Sequence, residues 1–174
     1  MINMRTNNNN HSGKTILGKF GESLLYSELL KKGINCYIIG NHNINTLPDI
    51  ITEGNITLEV KTGIYNPNCK RSTFSYKKEG ADKAYSSGWQ FGALKRSIAD
   101  FYVFVLLEHD WSLYKFIVIP KSELKRDQFF YLRPSVNDYK GTKGKARVET
   151  RLKPEYEGLD LIFDHIRILN IKNA

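Results

Sequence analysis

The stretch LPDIITEGNITLEVKT, residues 47–62, constrains the fold of this chain more than any other. Two short runs rich in Ile, Leu, Thr and Val, 49–52 and 56–60, flank Glu53-Gly54-Asn55, a pattern of two antiparallel strands around a tight turn. Side chains alternate along a strand, so Ile56, Leu58 and Val60 share one face while Thr57, Glu59 and Lys61 share the other. A three-residue loop centred on Gly54 sets Asp49 opposite Glu59, with side chains about 5 Å apart. A two-residue Gly54-Asn55 turn instead sets Asp49 opposite Val60 and sends the two acids to opposite faces. In the first register the carboxylates repel, and a hard divalent cation taking oxygen ligands from both relieves the repulsion, with Lys61 beside it.

Pro48-Asp49, nine further residues and then Glu59-Val60-Lys61 resemble the PD-(D/E)XK signature of the restriction-endonuclease-like nuclease superfamily. The resemblance implies an α/β fold with a restriction-endonuclease-like core, a central mixed β-sheet flanked by helices. It implies Mg²⁺ held by Asp49 and Glu59 with the Val60 carbonyl as a further oxygen ligand, Mn²⁺ able to substitute, and Lys61 positioning or activating the attacking water. Such proteins often carry a Glu on the first helix, and Gly18-Lys19-Phe20-Gly21-Glu22 resembles that element, making Glu22 a fourth catalytic candidate. Some branches place a Gln on the helix after the Lys, which makes Gln90 a weak candidate. The similarity spans 15–119 and its specific motif is confined to 48–61. It names no subfamily, so restriction-like, junction-resolving, repair and phage-type nucleases stand side by side. A homodimer follows if both strands of duplex DNA are cut.

Charge points to the same partner from a different direction. With 26 Lys plus Arg against 18 Asp plus Glu, the formal charge is +8, and the basic residues are mixed with aromatic ones throughout. This balance suits a polyanion such as DNA or RNA, whose phosphates supply most sequence-independent affinity. No apolar run reaches the eighteen or so residues of a membrane span, and the N-terminus has no hydrophobic signal core. Cys36 and Cys69 form neither a disulfide framework nor a zinc motif. A cytoplasmic, reduced location without membrane contact is expected. No phosphate-binding glycine loop or G-x-S-x-G elbow occurs, which excludes a nucleotide cofactor and a serine hydrolase from the expectations.

Along the chain, residues 1–14 are polar and Asn-rich, the composition of a flexible arm, and 15–174 are expected to form a single domain. Periodicity predicts a helix over 15–32 stopped by Gly33, with Glu22 on the stripe of Gly18, Leu25, Tyr26 and Leu29, and with Gly18 and Gly21 allowing close approach to a sheet. A strand is expected at 36–40 and a long loop over 63–88, where Lys70, Arg71, Lys77 and Lys78 are set among Tyr, Ser and Asn as nucleic-acid contacts. A short helix is expected at 89–99, a buried central strand at 100–107, its hairpin partner at 114–119 and a short helix from Ser122. Asp100 reads as a strand-entry or helix-capping residue and not as a ligand. The glycine-punctuated run 139–151 offers Lys140, Lys143, Lys145 and Arg147 to phosphates, and 159–171 has the spacing of an amphipathic helix whose His165 is a structural or surface residue and not a catalytic one. The same basic loops also fit a non-catalytic nucleic-acid-binding protein. The combination of Asp49, Glu59 and Lys61 favours the enzyme.

Overall fold

The computed structural model of the protein describes residues 11–39, 47–70, 85–93, 98–123, 129–132 and 154–172. The first element is α1 (His11–Lys31), which begins four residues before the expected start. It ends in a glycine-dependent stop: Gly33 has φ 79°, its amide donates to the Leu30 carbonyl at 2.9 Å, and the Ile34 amide donates to the Leu29 carbonyl at 3.0 Å. Those two bonds, with Leu29 and Ile34 both buried, make a Schellman cap. Three strands follow, β1 (Cys36–Ile38), β2 (Ile50–Thr52) and β3 (Thr57–Ile64), then β4 (Asn66–Lys70), β5 (Tyr85–Ala93), β6 (Phe101–Leu107), β7 (Leu113–Pro120) and β8 (Phe129–Leu132). The last helix is α2 (Asp160–Lys172).

The central sheet has the order β1-β2-β3-β6-β7. Every neighbouring pair is antiparallel except β3 and β6, which run parallel, so the sheet is mixed and the fold is α/β. β6, FYVFVLL, is buried along its whole length, as a strand with packed neighbours on both faces requires. Its odd-numbered side chains join Leu25 and Leu29 of α1 and Ile162 and Ile166 of α2 in one core cluster, together with Leu58 and Val60 of β3. Its even-numbered side chains, Tyr102, Phe104 and Leu106, pack with Trp89 and Phe91 of β5 on the opposite face.

That opposite face holds the main departure from the sequence reading. Within the expected long loop over 63–88 and helix over 89–99, the described residues are strands: β3 runs on to Ile64, and β4 and β5 join β8 in a three-stranded sheet, β4-β5-β8. Trp89 and Phe91, two residues apart, both enter the core, which a strand allows and a helix does not. The Trp89 indole donates to the Leu107 carbonyl at 2.7 Å, and the Phe91 ring meets Phe104 edge to face with centroids 4.9 Å apart. Gln90 therefore lies on β5, opposite Tyr131 of β8, and not on a helix.

Other described elements follow the sequence reading. The hairpin of β6 and β7 and the terminal helix form where periodicity places them. The short helix near Ser122 is a 3₁₀ turn, Lys121–Glu123. Among the described residues no helix is long and apolar enough to cross a membrane.

Candidate active site

The turn between β2 and β3 decides where the acids go, and it is the three-residue one. The Thr52 amide donates to the Ile56 carbonyl and the Asn55 amide to the Thr52 carbonyl, both at 2.9 Å. The left-handed residue is Asn55, with φ 58°, so the turn follows the pattern of a type I turn closed by a residue in αL. Gly54 is not required by space, since a Cβ there would meet Ile166 of α2 at 3.7 Å, an ordinary van der Waals contact. The resulting register pairs Ile50 with Leu58 and Ile51 with Thr57. Extended by one residue, it brings Asp49 level with Glu59.

Pairing stops there, and the stop opens the site. β2 begins at Ile50, whereas β3 continues six residues past Leu58. The Asp49 amide donates to the Leu58 carbonyl at 2.9 Å, and its carboxylate takes the place of the next strand partner, with Oδ2 accepting from the Val60 amide at 2.7 Å. The amide and carbonyl of one residue in an extended strand point to the same side, so the Val60 carbonyl opens toward the same gap.

The parallel partner fixes the other half. Asp100, just before β6, accepts from the Thr57 amide at 2.8 Å and the Thr57 hydroxyl at 2.7 Å through Oδ2. This clamp starts β3 and β6 in register, so that Glu59 lies beside Tyr102 and Lys61 beside Phe104. Asp100 thus has the strand-starting role read from the sequence. Glu59 and Lys61, two residues apart on one face, form an ion pair between Lys61 Nζ and Glu59 Oε1. Glu59 is only 8% exposed, so this face of the hairpin is not a solvated one.

Burial and charge both act on Asp49. Removal from water, then the negative charge of Glu59, push its pKa up to about 6 against the Val60 amide and the Lys61 ammonium, which favour ionisation; Glu22 adds to the upward push. Asp49, Glu59, Lys61 and Glu22 therefore share one electrostatic environment. Glu22 is buried at 7% exposure on the face of α1 that carries Leu25 and Leu29, and Oε2 accepts from Lys19 Nζ at 2.6 Å. It is not a solvated residue at the edge of that face. Lys19, three residues earlier in the same turn, is the charged neighbour that the sequence reading passed over, although an i, i+3 spacing of opposite charges was there to find it.

Gly21 and Gly18 separate in the structure. A Cβ on Gly21 would stand 1.9 Å from Thr62 Oγ1, so the helix rests on β3 at that point. A Cβ on Gly18 would meet nothing within 4 Å, and the expected close approach at Gly18 is absent.

The predicted nucleic-acid contacts are placed only in part. The backbone of Lys70 ends β4 and that of Gln90 is in β5, while Arg71, Lys77, Lys78, Lys140, Lys143, Lys145 and Arg147 lie outside the described residues. His165 is exposed and its ring meets Phe101 edge to face, 5.3 Å between centroids, as a surface residue of α2. Among the described residues no group of three or more His, Cys, Asp or Glu side chains is close enough to hold a metal ion. A cation here would draw on two carboxylates and a carbonyl.

No family model matches the chain, and no curated protein matches it. Its structure is similar to that of a bacterial homing endonuclease, I-Ssp6803I, with a TM-score of 0.52 and 12% sequence identity over 92% of this chain and 97% of the other. At that identity the likeness concerns the fold.

Proposed function

We propose that this protein is a Mg²⁺-dependent endodeoxyribonuclease that hydrolyses phosphodiester bonds. The observation that carries the reading is the meeting of Asp49 and Glu59 where β2 ends and β3 continues, with Lys61 on the same face and the Asp49 carboxyl pushed up to about 6. A buried Glu59 beside a half-buried Asp49 destabilises a fold unless a positive charge joins them. Lys61 already occupies Glu59 Oε1, so the unrelieved charge is that of Asp49. A fold shared with a homing endonuclease supports the same reading.

The donor set fits the ion. Asp49, Glu59 and the Val60 carbonyl offer hard oxygens, which suit Mg²⁺ and Mn²⁺ and not a thiophilic metal. Glu22 belongs to the site through a water. When bound, the ion supplies a Lewis acid that lowers the pKa of a coordinated water and takes up charge on the phosphate.

The chain's own groups do the rest. Lys61 directs an ammonium donor at the attacking water or at the phosphate oxygen where charge builds in the transition state. Asp49 ionises above about pH 6 and then presents a full negative charge to the gap. The Val60 amide holds that carboxylate in one orientation at 2.7 Å, so little reorganisation is left for the reaction itself. The basic residues Lys70, Arg71, Lys77, Lys78, Lys140, Lys143, Lys145 and Arg147 hold the phosphate backbone, and a homodimer supplies a second site for the second strand.

Incubation with plasmid, branched and single-stranded DNA in Mg²⁺ tests the function and separates restriction-like or homing-type cleavage of duplex from junction resolution. Cutting that stops on chelation is expected. Binding without cutting under both Mg²⁺ and Mn²⁺ overturns the proposal in favour of a non-catalytic nucleic-acid-binding protein.

A further inference from the structure

The contact between α1 and β3 is tighter than packing needs. Thr62 Oγ1 stands 1.9 Å from the position of a Gly21 Cβ, which puts it within about 3.4 Å of the Gly21 Cα, the range of a weak C–H···O contact. It is a buried side-chain oxygen with no hydrogen-bond partner, the only such atom among the described residues. A buried hydroxyl left unpaired costs stability. Any residue other than glycine at position 21 would displace the Thr62 side chain or the helix resting on it.

The two residues in contact each sit next to a proposed catalytic group. Gly21 precedes Glu22, and Thr62 follows Lys61. The contact therefore fixes the height of the Glu22 turn above the strand that carries Glu59 and Lys61. Lys19 holds the Glu22 carboxylate itself at 2.6 Å, so Glu22 is gripped at its backbone by the seat and at its side chain by an ion pair. Gly18, one turn earlier, has no such contact, which confines the seat to the turn that bears Glu22.

We propose that Gly21 and Thr62 are positioning residues of the acidic site, acting through Glu22, an inference that rests on the metal-dependent reading above. The seat sets how far Glu22 stands from Asp49 and Glu59. In this role it decides whether the Glu22 carboxylate reaches a cation's water.

The test uses the full chain and reads Mn²⁺ binding by electron paramagnetic resonance without DNA, beside Mg²⁺-dependent cleavage. Gly21→Ala is expected to weaken Mn²⁺ binding about tenfold, the scale seen when an outer partner of a metal ligand is lost. The double variant Gly21→Ala/Thr62→Ala is expected to regain part of that loss, because only the Thr62 Cβ at 2.9 Å then remains in the way. In a Glu22→Gln background neither change weakens binding further. Thr62→Ala alone, which empties the seat without a clash, is expected to weaken binding a few-fold, again only while Glu22 is present; it decides the matter if Gly21→Ala does not fold by circular dichroism. Folded variants that bind Mn²⁺ as the wild type does, or that lose the same factor with and without Glu22, overturn the inference, as does a wild type that binds no Mn²⁺. A wild type that binds Mn²⁺ but cuts no DNA overturns the nuclease reading alone, and the Mn²⁺ comparisons still decide the role of the seat.

Discussion

Replacing Asp49 with Asn removes a charge that the fold holds at a cost, and the size of that cost follows from the structure. Burial and the Glu59 charge raise the carboxyl from 3.8 to about 6. A shift of roughly two units corresponds to about 3 kcal/mol, and solvent screening of a partly exposed group trims this to about 2 kcal/mol. Because the native pKa lies above the unfolded one, the native state holds the proton more tightly. The contribution to stability is full below about pH 4 and is lost as pH rises through about 6. Asp49→Asn keeps an oxygen that can accept from the Val60 amide and carries no charge at any pH. It is therefore expected to match the wild type at pH 4 and to exceed it at pH 8. For a chain of this length each kcal/mol moves the midpoint by about 2–4 °C, so the gain at pH 8 is about 4–8 °C. Thermal unfolding followed by circular dichroism at the two pH values measures it. Added Mg²⁺ is expected to narrow the gap by stabilising only the wild type. A variant no more stable than the wild type at pH 8, or one with the same gain at both pH values, refutes the account of Asp49.

Other changes report on neighbouring parts of the argument. Asp100→Ala removes the acceptor of both Thr57 donors and is expected to cost about 1–2 kcal/mol, with faster amide exchange at the start of β3. Mn²⁺ affinity in the absence of DNA is expected to rise between pH 5 and pH 7 as Asp49 ionises, which isothermal titration at several pH values checks.

The central hairpin could be read from sequence because its information is local. The loop length, the Ile/Leu/Val alternation and Asp49 and Glu59 all fall within a few residues of one turn, and register follows once the loop has three residues. The choice between three residues and two could not be made from Gly54-Asn55 alone, since Asn tolerates the left-handed conformation that it adopts at φ 58°. β6 was legible from its unbroken apolar run, and Asp100 from its position before it. β5 was not, because YSSGWQFGA has few β-branched residues and its strand identity comes from burying Trp89 and Phe91 against a second sheet face. The same limit applies to Gly18 and Gly21. Both are glycines on one helix, and only the crossing of α1 over β3 separates the one that touches Thr62 from the one that touches nothing.

The most direct test of the central claim compares the wild type with Asp49→Ala, Glu59→Ala and Lys61→Ala for cleavage of DNA in Mg²⁺, with binding to the same DNA measured in Ca²⁺. The account predicts cleavage by the wild type alone, and DNA affinity within a few-fold of wild type in all three variants, since the proposed phosphate contacts are made by other residues. Cleavage at the wild-type rate by any one of the three contradicts it.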